Sequence, residues 1–111
     1  MMTKYEILTG IVSELEFLQD IFLNEVMADR EMDDIDNKFL EELHVMTGKY
    51  NKLSMEVMTK YEILTGIVSD LEFLQYIFLN EVMADREMDD IDNKFLEELH
   101  VMTGKYDKLW R

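Results

Sequence analysis

At 111 residues and a formal net charge of −14, the chain suits one small domain. It is too acidic to favour direct nucleic-acid binding or an anionic membrane surface, both of which recruit Lys/Arg patches. It has no cysteine, which excludes disulfides and thiolate metal sites, and 48% hydrophobic residues at helical spacing argue against a disordered acidic chain.

Residues 58–109 repeat residues 2–53 with only three differences: Glu14/Asp70, Asp20/Tyr76 and Asn51/Asp107. A four-residue joint, 54–57, separates the copies. Met-Thr-Lys-Tyr-Glu opens at both Met2 and Met58, so Met1 reads as an extra residue and the repeat as a recent tandem duplication or an engineered single-chain fusion of two nearly identical copies. A single copy is marginal as a folding unit, and two copies share a core at high effective concentration.

Taken in order, residues 3–29 read as an amphipathic helix, with Leu8, Ile11, Leu15, Leu18 and Phe22 at alternating three- and four-residue steps. Thr3 followed by Glu6 is a capping-box pattern. Gly10 inside the helix costs about 1 kcal/mol against Ala and points to close packing or a frayed first turn. Residues 29–36 hold five acids and one arginine and predict a hairpin elbow. A continuous helix would instead place Glu25, Asp29 and Asp36 in succession on the buried seam, costing several kcal/mol without partners.

The second helix is predicted from Asp33 to Met46, with an extension to Leu53, on the pattern Ile35, Phe39, Leu43, Met46, Tyr50 and Leu53. Asp33 or Asp34 caps its start, Thr47-Gly48 is a plausible stop, and Lys49 and Lys52 suit its carboxyl end. The joint is open to two readings. The copies are spaced by whole heptads, so helices two and three can fuse into a rod that swaps or dimerises; a turn near residues 48–56 closes a monomer instead, and is favoured here. The expected class is therefore all-α: two tandem near-identical hairpins forming a four-helix bundle with pseudo-two-fold symmetry.

Chemistry has little support. Glu41-x-x-His44, repeated at Glu97 and His100, matches one element of carboxylate-bridged di-metal bundles, but Glu41 points away from the apolar stripe. Asp29, Glu31 and Asp33 match early ligand positions of a calcium loop, yet Asp34 stands where Gly is required and Leu40 where Glu is required. The sequence has no cysteine nucleophile, no Gly-rich phosphate loop and no His near a Ser/Asp pair. No cofactor, metal or enzymatic activity is expected.

Surfaces are more informative. A second apolar stripe on helix one joins Gly10, Phe17, Ile21 and Ala28, repeated as Gly66, Phe73, Ile77 and Ala84. Bundle packing accounts for most of it, and a partner groove is the rival. Of ten methionines, Met27, Met32, Met46 and their repeats suit core filling or an adaptable surface. Tyr76, where the first copy has Asp20, breaks the symmetry most. The expected partner-binding residues are Phe17, Ile21, Phe73, Ile77 and Tyr76, with the elbow acids Asp29, Glu31, Asp33, Asp85, Glu87 and Asp89. The expected function is a non-enzymatic acidic interaction protein, an inhibitor or nucleic-acid mimic for a basic or helical protein partner. The alternative is a single-chain duplication of a homodimeric hairpin with a structural role. Self-association by dimerisation or domain swap stays open. No signal peptide or membrane span is read, and a cytoplasmic address is the default.

Overall fold

The computed structural model describes residues 2–109, with Ser54 by its backbone alone. Met1, read above as an extra residue, lies outside the described residues. Four α-helices follow in order: α1 (Lys4–Ile21), α2 (Asp34–Lys52), α3 (Lys60–Ile77) and α4 (Asp90–Leu109), with no strand among the described residues. They form two antiparallel hairpins, α1–α2 and α3–α4, packed as an all-α bundle of 41 × 24 × 19 Å.

Each helix starts on its own side-chain chemistry. The Thr3 hydroxyl accepts the Glu6 N–H at 3.1 Å, and the Glu6 carboxylate accepts the Thr3 N–H at 2.8 Å. Thr59 and Glu62 repeat this box before α3. Ahead of α2, Asp33 accepts from the Asp36 N–H at 2.9 Å and Asp36 accepts from the Asp33 N–H at 3.1 Å. Asp89 and Asp92 do the same before α4. These boxes satisfy N–H groups that no helical carbonyl can reach.

Three expectations need correction. The first helix does not run regularly to residue 29. It passes at Phe22–Val26 into a π turn, closed by the Met27 N–H donating to the Phe22 carbonyl at 2.9 Å, and the copy does the same at Phe78–Val82. Phe22, Val26 and Met27 are all buried at this turn.

The second helix does not stop at Thr47-Gly48 but continues to Lys52. Gly48 keeps ordinary helical φ, and the Thr47 hydroxyl donates back to the Leu43 carbonyl at 2.8 Å. Burial of Tyr50 and Leu53 beyond the glycine carries the helix through. The third correction is Ile35, which is 44% exposed, while Asp36 takes the inward position at 0%. The buried series of α2 therefore begins Asp36, Phe39, Leu43, Met46, Tyr50.

At the joint, a 3₁₀ turn at Leu53–Met55 is followed by extended Glu56, and α3 begins afresh after Thr59. Leu53 is buried, anchoring the turn. The copies thus close on one another rather than fusing into a rod. The amino ends of α1 and α3 meet at one end of the bundle: Lys4 Nζ donates to the Glu56 carbonyl at 2.8 Å and Lys60 Nζ to the Met2 carbonyl at 3.1 Å. At the other end α2 and α4 approach, with the Phe39 and Phe95 rings 6.0 Å apart.

One core spans both hairpins. Leu8, Ile11, Leu15, Leu18 and Phe22 are at most 2% exposed, as are their counterparts in α3. Phe22, Phe39, Phe78 and Phe95 form a central ring cluster, with centroids 4.8 Å apart within each hairpin and 5.7 Å across. Such tilted pairs add about 0.5–1.5 kcal/mol each beyond their burial.

Candidate interaction surfaces

The hairpins are clasped by polar contacts that occur twice, once in each direction. Near the elbows, Arg30 of the first hairpin forms a two-pronged pair with Asp92 of the second, Nη1 to Oδ1 at 2.9 Å and Nη2 to Oδ2 at 2.8 Å. Arg86 holds Asp36 with the same distances. Each aspartate also completes its own helix's capping box, so one buried carboxylate ties a helix start to the opposite hairpin. The pairing pushes both guanidinium pKa values upward, led by the hydrogen bond to the aspartate. Bidentate Arg–carboxylate geometry is what makes burial of Asp36 and Asp92 tolerable.

At the other end, the Tyr106 hydroxyl donates to Glu14, and Lys105 pairs with the same carboxylate at 2.7 Å. Tyr50 donates to Asp70 at 2.6 Å, and Lys49 pairs with it at 2.7 Å. Gly10 and Gly66 lie beside these phenols. A Cβ on Gly10 would lie 3.6 Å from the Tyr106 oxygen, and one on Gly66 3.3 Å from that of Tyr50. Only the approach at Gly66 is tight; the one at Gly10 is an ordinary van der Waals contact, so close packing does not account for Gly10.

These clasps set the charge distribution. Both elbows fall at one end of the bundle, where Asp29, Glu31, Asp33, Asp85, Glu87 and Asp89 are all exposed. The elbow cations Arg30 and Arg86 are only 22% exposed at the side chain and are turned onto the buried aspartates. Lys4, Lys49 and Lys52, with Lys60, Lys105 and Lys108, sit on helix ends at the opposite pole. The elbow end is therefore an acidic pole. Asp33 and Asp89 have pKa values below the usual range, chiefly because each accepts a backbone N–H from Asp36 or Asp92.

The second apolar stripe divides. Gly10 and Ile21 are half-buried and Ile77 is buried, whereas Phe17 and Phe73 stay 47% and 46% exposed and Ala28 sits outside on the elbow. Phe73, Tyr76 and Ile77 line a groove of about 280 Å³ between α2 and α3, facing Ile35, Lys38 and Glu42. The twin groove between α1 and α4, lined by Phe17, Ile21 and Ile91, is about 90 Å³. Asp20 does not line it: its carboxylate accepts from the Asn24 amide at 2.7 Å along its own helix. Tyr76 stands 61% exposed on the wall of the larger groove.

Glu41, His44, Glu97 and His100 are exposed, and no group of three metal-ligating side chains converges among the described residues. No helix is long and apolar enough to cross a membrane. Sequence reasoning missed the Arg30–Asp92 and Arg86–Asp36 clasps. The available signal was the single arginine in each acidic elbow, beside an aspartate in phase with Phe39 and Leu43. Comparisons with family models, curated proteins and solved structures each returned no match.

Proposed function

We propose that this chain is a non-enzymatic interaction protein whose acidic elbow pole engages a basic protein surface, as an inhibitor or nucleic-acid mimic does. The observation that supports the reading is the fate of the elbow charges. Arg30 and Arg86 pair with the buried Asp92 and Asp36 and reach Asp89 and Asp33 at 3.7 and 3.6 Å, which leaves Asp29, Glu31, Asp85 and Glu87 exposed and in excess at that end. Clustered charge of one sign raises the local field and steers oppositely charged partners.

A test uses a lysine-rich helical peptide as probe. Neutralising Asp29, Glu31, Asp85 and Glu87 to their amides is compared with neutralising Glu16, Glu41, Glu72 and Glu97, which are exposed on the helices. The elbow set weakens binding more than the helix set, and affinity falls steeply between about 50 and 200 mM salt. Equal effects from the two sets, or affinity indifferent to salt, contradict the reading.

A second reading is favoured by one observation: the Arg–Asp clasp and the Tyr–carboxylate clasp between the hairpins each have a twin. A self-complementary surface is what a homodimer of one hairpin requires. On that reading the chain is a single-chain form of such a dimer, with folding as its role.

A further inference from the structure

Resting on the acidic-pole reading, we infer that the basic partner is an amphipathic helix whose apolar face seats in the α2–α3 groove, on Ile35, Phe73 and Tyr76, once per chain. The groove lies beside the pole. One wall begins at Ile35, in the first turn of α2, and the other runs from Phe73 on α3 to Val82 at the end of the π turn, close before Arg86. A helix laid along it puts its apolar side chains between α2 and α3, its flanking cations against Glu42 and Glu81, and its elbow-side end toward the elbow acids.

Charge selects the occupant. A second copy of this chain would bring −14 against −14, and an anionic bilayer is repelled in the same way. Glu42 and Glu81 line the groove against one base, Lys38. The limit of one partner per chain comes from the broken symmetry. Only the second copy carries a tyrosine on the wall, and the twin groove has about 90 Å³. Tyr76 offers a large amphipathic contact at low rotamer entropy, and its ring face suits a lysine or arginine of the incoming helix.

The full chain is titrated with a synthetic Leu/Lys amphipathic peptide of about five helical turns. A scrambled peptide of identical composition, with no apolar face, is the control. Calorimetry is expected to give one amphipathic peptide per chain, bound about tenfold tighter than the scrambled one. Amide shifts should centre on Ile35, Phe73 and Tyr76. Tyr76→Asp adds negative charge, so electrostatics alone predicts tighter binding; the groove predicts a loss of about tenfold. Asp20→Tyr removes negative charge, yet should build a second site and raise the stoichiometry to two. Both positions are exposed, so neither change threatens the fold. Equal binding of the two peptides, an unaffected Tyr76→Asp variant, or two peptides on the unmodified chain overturns the groove inference while leaving the acidic pole standing. Binding of neither peptide at low salt overturns both.

Discussion

Arg86 and Asp36 show how much one residue pair decides in so small a bundle. Asp36 is 1% exposed at the side chain, so removing Arg86 strands a buried carboxylate. Arg86→Ala is expected to destabilise by about 2–3 kcal/mol. That is the low side of the usual range for a broken buried pair, since Arg86 keeps 22% of its side chain in solvent. Denaturant melts check this, and a change below about 0.5 kcal/mol would contradict it. The two interface glycines provide a second test within one molecule. Gly10→Ala gains helix propensity, about 1 kcal/mol, against an ordinary contact at 3.6 Å. At Gly66 the added methyl meets the Tyr50 oxygen at 3.3 Å, so that hydroxyl must shift away from Asp70. Gly66→Ala is expected to gain less than Gly10→Ala or to lose stability; equal gains would show that the phenol adjusts freely.

Across the elements, caps and clasps set the pH limits of the fold. Tyr50 and Tyr106 have pKa values raised well above the tyrosine range, first by burial and then by the hydrogen bonds to Asp70 and Glu14. A raised folded pKa stabilises below the unfolded value, near ~10, and the contribution is lost as pH climbs beyond it. Asp33 and Asp89 work in the opposite direction. Their folded values are depressed, so their contribution is present above the unfolded value of ~3.9 and is lost as pH falls through the folded one. Stability should therefore fall below about pH 4 and above about pH 10. Replacing Tyr50 and Tyr106 by Phe should lower stability at neutral pH by about 1 kcal/mol per bond and flatten the alkaline decline; an unchanged decline would place its origin elsewhere. Gly48 belongs to this scale as well. A Cβ there meets nothing within 4 Å in mid-helix, so Gly48→Ala should stabilise by about 1 kcal/mol in a thermal melt.

Over the whole molecule, the bundle was legible because its seam is periodic. Leu8, Ile11, Leu15 and Leu18 recur at helical steps, Thr3 and Glu6 announce a start, and the duplicated text announces a symmetric partner. Each of those signals is local or repeated. The π turn was not legible, because burial of both Val26 and Met27 is decided by what packs against them. The end of α2 was legible as one of two readings: the extension to Leu53 rested on Tyr50 and Leu53, whose burial overrides the glycine. The role of Asp36 was hidden for a related reason: its cation lies 50 residues away in the other copy, where no helical periodicity points. Of the proposed partner-binding residues, Phe17, Ile21, Phe73 and Ile77 were visible as a stripe, but the outward turn of Ile35 and Ile91 that gives each groove its second wall was not.

One hairpin, written twice, closes on itself through reciprocal contacts. Solution mass tests this most directly, measured by sedimentation on the full chain and on residues 58–111 alone. The prediction is a monomer of 13.3 kDa for the full chain and a folded dimer of similar mass for the single unit. A full chain that dimerises through a fused central helix, or a single unit that stays an unfolded monomer at high concentration, would contradict it.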